Sequence, residues 1–168
     1  MLKEVRFDQA FTYAYSRREQ TYAGLFYKDD VPESVKASRL TEVIDTFQAV
    51  ALERNRRIEI GRLHVVLVEG LAKKSTPDQV LWTGRTDTNK RVVFMDSKVI
   101  GKFSREDAAR CLDADEAQNI LSESATYSIY KGAYVIVKIV SVKGHTLRGI
   151  PLALTSIREA ADLRLHMM

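Results

Sequence analysis

Residues 132–154 read GAYVIVKIVSVKGHTLRGIPLAL, and the fold depends on how that stretch is interpreted. Val135, Val137 and Ile139 alternate with Ile136 and Val140, so one run carries apolar side chains on both of its faces. A strand with one wet face would alternate apolar with polar residues, whereas a run apolar throughout suits a strand of a small closed barrel. Lys143-Gly144-His145-Thr146 interrupts it as a turn, and Thr146 to Leu154 supplies a second strand. Working back along the chain, Arg62 to Glu69 (RLHVVLVE), Val80 to Trp82 and Arg91 to Met95 add three more short runs, separated by the turn-rich KKSTPD and GRTDTN. This pattern predicts an α+β protein built on a small five-stranded antiparallel, OB-like β-barrel.

The remaining segments are of three kinds. Asp29 and Asp30 precede Val31-Pro32, after which Leu40, Val43, Ile44, Phe47, Val50 and Ala51 recur at helical spacing and Arg54, Arg56 and Arg57 follow. Acidic residues at the start, a proline in the first turn and basic residues at the end predict a long amphipathic helix over about 32–55, with Lys36, Arg39, Glu42 and Asp45 in water. A strand is expected before it, over Val5 to Tyr15. Residues 96–131 are polar, with a weak helical pattern from Arg105 to Leu121, and are expected to protrude as an insertion between strands. The last dozen residues are expected to form a short helix or to fray.

Composition narrows the function. The chain has 168 residues, 45% of them hydrophobic and 29% charged, with 26 basic against 22 acidic side chains for a formal charge of +4. That balance permits an anionic partner. No apolar run approaches the roughly 18 residues of a membrane helix, and MLKEVRFDQAF does not read as a targeting presequence. Cys111 is the only cysteine, so the chain has no internal disulfide, no CxxC pair and no cysteine-ligated metal cluster of its own. His64, His145 and His166 are scattered and are not read as metal ligands. There is no GxSxG, Walker-type loop or HExxH, and GLAKKSTPD lacks the GK[ST] ending of a phosphate loop. A binding module is therefore expected rather than a catalytic centre. Basic residues cluster at the barrel's connections: Lys73 and Lys74; Arg85, Lys90 and Arg91; Lys143, His145 and Arg148. These positions suit phosphate contacts, with Asn89 adding hydrogen bonds. Trp82, Tyr127, Tyr130 and Tyr134 fit a core role better than base stacking.

Several stretches in order resemble the C-terminal part of the MiaB-like tRNA methylthiotransferases, with the eukaryotic, organellar branch nearest. They are YSRREQTYAG (15–24), VPESVKASRLTEVIDTFQAVALERN (31–55), GRLHVVLVEGLAKKS (61–75), LWTGRTDTNKRVVF (81–94) and GAYVIVKIVSVKGHTLRGIPL (132–152). The chain departs from the family pattern at Gln20, where glycine is usual, at Ala133, where aspartate is usual, and in its long insertion. The resemblance implies that 1–57 is the end of a radical-SAM domain, that 58–157 is a TRAM barrel and that 158–168 is a tail. It implies a parent enzyme that uses two 4Fe-4S clusters and S-adenosylmethionine to add a 2-methylthio group to N6-isopentenyladenosine beside the tRNA anticodon, in the mitochondrion or cytoplasm. This chain lacks the CxxxCxxC motif and is not expected to catalyse alone. The implied partner is tRNA, held by Lys73, Lys74, Arg85, Asn89, Lys90, Arg91, Lys143 and Arg148, with self-association through the exposed helix 32–55 as a further expectation. The alternatives are an enzyme whose catalytic part lies outside this sequence, and a non-catalytic protein-interaction scaffold derived from one.

Overall fold

The computed structural model describes residues 1–110, 119, 121–122 and 126–164, so Cys111, His166 and most of the second half of the expected insertion helix lie outside it. The chain divides into two units, Met1–Glu53 and Arg54–Met168.

In the first unit the expected strand over Val5 to Tyr15 does not form. A short helix, α1 (Leu2–Val5), is followed by residues with no regular structure. Extended backbone needs a neighbour for its N–H and C=O groups, and the alternating aromatics Phe11 and Tyr13 are 79% and 84% exposed, so no buried face holds them. The stretch around YSRREQTYAG forms a further helix, α2 (Tyr22–Phe26), in which Thr21 Oγ1 accepts from Gly24 N at 3.2 Å and Arg17 Nη2 donates to Gly24 O at 2.6 Å. The long helix α3 (Glu33–Ile58) matches its predicted span closely. Of the apolar residues Leu40, Val43, Ile44 and Phe47, only Val43 is exposed. Lys36, expected in water, is buried: its Nζ donates to Asp29 Oδ2 at 2.5 Å and Glu33 Oε1 at 2.8 Å. The hydrogen bond to Asp29, followed by that to Glu33, raises its pKa.

The second unit holds the sheet: β1 (Leu63–Leu71), β2 (Leu81–Thr86), β3 (Arg91–Met95), β4 (Tyr134–Lys143) and β5 (Thr146–Thr155), closed in the order β1-β2-β3-β5-β4. All pairings are antiparallel except β3 with β5, which is parallel. The sheet is therefore mixed and not purely antiparallel as predicted: strand direction cannot alternate all the way around a closed ring of five, and β3 with β5 is the pair that runs the same way. Gly144, at φ 60°, begins the two-residue turn of that hairpin, where a left-handed residue matches the strand twist. Gly84 answers a different need: a Cβ there would lie 2.3 Å from Leu67 O on β1.

Val66, Val68, Val92, Phe94, Val135, Val137, Ile139 and Leu147 fill the interior. The insertion does not simply protrude. Val99 and Ile129 join the interior cluster, while Ile100 and Phe103 pack on Ile136, Leu152 and Ala153 on the opposite side of β4 and β5. Ile100 N donates to Leu152 O at 2.9 Å and Leu154 N to Ile100 O at 2.9 Å, fastening the segment along β5. This accounts for Ile136 on the outer face of β4, which lies under the insertion while the inner face lines the barrel; Val140, farther along, is exposed. Two further helices have described bounds. In α4 (Arg105–Arg110), Asp107 N donates to Ser104 Oγ at 3.1 Å; in α5 (Ile157–Arg164), a reciprocal cap joins Ser156 and Glu159, with Ser156 N donating to Glu159 Oε2 at 2.9 Å. Among the described residues, no helix is long and apolar enough to cross a membrane.

Candidate nucleic-acid interface

Strand parity decides which basic residues share a surface. Paired residues project to the same side of a sheet, so two cross-strand rows can be read from the register. One row runs Arg85, Arg91, Thr146, Lys143 across β2, β3, β5 and β4; the next runs Thr83, Val93, Arg148 across β2, β3 and β5. Their inward neighbours Val92, Phe94 and Leu147 are core, so both rows lie on the outer face. The loop after β1 meets this face: Ala72 N donates to Leu81 O at 2.8 Å and Leu81 N to Ser75 Oγ at 3.1 Å, which anchors Lys73 and Lys74 beside β2.

Between these elements lies a hollow of about 360 Å³. Ala72, Leu81 and Val93 supply its apolar lining, and Lys73, Lys74, Arg91, Lys143 and Arg148 its charge, with no acidic residue among the lining. Five of the eight predicted contact residues thus converge on one place from separate parts of the sequence. Arg91 Nε donates to Thr83 Oγ1 at 3.1 Å, which ties its guanidinium to the neighbouring strand. Like charges gathered in a concave surface raise the local positive potential and favour an anion there.

The other three predicted residues stand elsewhere. Asn89, exposed and at φ 61°, occupies the left-handed position of the β2–β3 turn. Arg85 is half-exposed and donates to Asn89 O at 3.1 Å, with Glu69 Oε1 3.8 Å from its Nε. Thr86 N donates to Lys90 O at 3.0 Å, Lys90 N to Thr86 Oγ1 at 3.0 Å, and Thr88 N to Asp87 Oδ1 at 2.9 Å, so Thr86 and Asp87 serve the turn, while Gly84 to Thr86, expected in the turn, form the end of β2. Lys90 does not point outward as expected. It is 5% exposed, and its Nζ donates to Glu59 Oε1 at 2.5 Å and Asn55 Oδ1 at 2.9 Å. Its charge is neutralised inside the fold. Glu59 also accepts from His64 Nε2 at 2.7 Å. The hydrogen bond from His64 is the main cause that lowers the Glu59 pKa from 4.5 to about 2; Lys90 assists and burial opposes it. Sequence reading missed this network because Glu59 and Lys90 lie 31 positions apart.

It also missed the hollow's apolar floor. The available signal was parity: Arg91 and Val93 alternate with the buried Val92 and Phe94, so both project outward. Trp82 is partly buried against the interior cluster, with Nε1 donating to Asp96 Oδ1 at 2.9 Å, while Tyr127 and Tyr130 are exposed away from the hollow's lining residues. Among the described residues, no group of three or more His, Cys, Asp or Glu side chains could hold a metal ion.

Comparison with known proteins decides the lineage. Over 161 residues the chain is 35% identical to the mitochondrial tRNA methylthiotransferase CDK5RAP1 of Homo sapiens, covering 96% of this chain and 23% of that protein. The chain is a relative of the tRNA methylthiotransferases. The bacterial tRNA-2-methylthio-N(6)-dimethylallyladenosine synthases are similar over a shorter stretch: 46% identity over 94 residues in Chloroherpeton thalassium and 43% over 104 residues in Carboxydothermus hydrogenoformans, or 56% and 61% of this chain. No protein-family profile matches. This methylthiotransferase relative spans about a quarter of the length of the curated proteins that it matches.

Proposed function

We propose that the chain is a TRAM-type, OB-like RNA-binding module that holds tRNA by its phosphate backbone for a methylthiotransferase. The observation that carries this reading is the hollow, where Lys73, Lys74, Arg91, Lys143 and Arg148 meet without an acidic neighbour in its lining. Two further features support it. Closure in the order β1-β2-β3-β5-β4 suits the oligonucleotide-binding barrel class, and the similar proteins are named for acting on tRNA. Arg85 lies in register with Arg91 and extends the cationic row toward the β2–β3 turn, whereas Lys90 is assigned to the fold.

On this reading 58–157 is the RNA-binding barrel and 1–57 the end of a radical-SAM domain. The substrate is an isopentenylated adenosine beside the anticodon, and a mitochondrial location follows that of the human relative. The thiolate set for an iron–sulfur cluster does not fit this chain, which has a single cysteine. Its own contribution is to bind and orient the tRNA, and no chemical step is assigned to it.

The test is a tRNA titration of the chain at several salt concentrations, repeated with Arg91, Lys143 and Arg148 changed together to alanine. Each lost phosphate contact should reduce the log–log salt slope by about 0.7–0.9, so the triple change should flatten it by about two units and weaken binding. The loss should be similar across tRNA sequences, since phosphates carry no sequence information. Equal affinities and slopes for the two proteins would leave the cations as solvated surface.

A further inference from the structure

We infer that the hollow takes one unstacked nucleotide of a single-stranded RNA segment, its base on the apolar floor and its flanking phosphates on the cationic rim; this rests on the RNA-binding reading above. A surface that only tracks a phosphate backbone needs charge, and apolar side chains beneath it contribute nothing to a phosphate. Here Leu81 and Val93 stand half-buried on the outer face of the barrel, and Ala72 beside them is 8% exposed. Together they give the cationic site a concave apolar floor.

The shape points the same way. Bases stacked inside a duplex cannot enter a recess of about 360 Å³, whereas unpaired bases can be splayed out and bound singly. Arg91 adds a planar group at the wall, fixed by its 3.1 Å bond to Thr83 Oγ1, and guanidinium planes are among the surfaces on which unstacked bases settle. Aliphatic side chains make no base-specific hydrogen bonds, so the pocket should tolerate different bases while selecting single strands over duplexes. The basic residues come from the β1–β2 loop, β3, β4 and β5, so phosphates on either side of the inserted base meet cations.

The experiment compares a short labelled oligoadenylate with an RNA duplex of equal length, using the full chain. Val93→Phe should fill the recess from its floor, and Leu81→Gln should keep the volume while making the floor polar; thermal melting checks that each variant folds. Stacking of a base on an aromatic side chain corresponds to roughly 5- to 150-fold in affinity, and an aliphatic floor should lie at the low end, about 5-fold. Both variants should lose about 5-fold or more for the single strand and keep wild-type affinity for the duplex. Equal losses on both ligands, or none on the single strand, would overturn the inference. The Arg91, Lys143 and Arg148 triple variant separates the two readings. If it loses affinity while Val93→Phe and Leu81→Gln do not, phosphate binding stands and base insertion falls. If it too retains wild-type affinity, both readings fall.

Discussion

Lys90 and Arg91 are consecutive cations with opposite roles. Arg91 opens β3 on its outer face and lines the hollow, whereas Lys90 closes the turn and buries its ammonium against Glu59 and Asn55. Buried charges persist only when paired and hydrogen-bonded, and Glu59 meets that condition with Lys90 on one oxygen and His64 on the other. The lowered Glu59 pKa has a consequence for stability. In the unfolded chain this carboxyl takes up its proton near 4.5, but in the fold only near 2. Between those values the unfolded state binds more protons, so stability rises with pH across that window. The contribution is complete above about 4.5 and is lost as pH falls toward 2. Urea midpoints measured through this range should fall with acidity in the wild type, and Glu59→Gln should remove that part of the slope. An unchanged slope in the variant would place the acid sensitivity elsewhere.

The segment between β3 and β4 gains a structural role from Ile100 and Phe103, which cover the outer side of β4 and β5. Phe103 is 7% exposed, and truncating a buried phenylalanine to alanine costs about 3–5 kcal/mol. Phe103→Ala should therefore lower the urea midpoint markedly, while a segment that merely protruded would tolerate the change. Much of this fold was legible in the sequence. The α3 helix and the places of the five strands follow from period and turn residues, because each is a local pattern, although β2 runs on to Thr86 through half of the stretch read as a turn. A closed ring of five strands must contain one parallel pair, so a mixed sheet was implicit in the predicted barrel; that β3 and β5 form it was not legible, since pairing partners are not a local pattern. The missing strand at Val5 to Tyr15 failed for a related reason: alternation shows what a strand would bury but not whether a neighbour exists to pair with it. The two-sided apolarity of β4 was visible, but its cause was only half visible, because Ile100 and Phe103 lie in a segment whose surroundings read as polar.

Across the whole chain, the candidate site combines residues that sequence could nominate with an arrangement that it could not. Lys73, Lys74, Arg91, Lys143 and Arg148 stand out as basic residues near connections, yet only the pairing of β3 with β5 brings the hairpin of β4 and β5 beside β3 and the β1–β2 loop. The β2–β3 turn, with Arg85, Lys90 and Arg91, is as compact a cluster in sequence as the others. In the fold its polar groups largely satisfy the turn, and Lys90 is withdrawn from the surface. The most direct test of RNA binding at the hollow is to map the backbone amide shifts of the 168-residue chain during titration with an anticodon stem-loop RNA. The expected shifts concentrate at Lys73, Lys74, Arg91, Val93, Thr146 and Arg148 and saturate together. Shifts confined to residues 86–90, or none at saturating RNA, would contradict the assignment of the hollow as the RNA site.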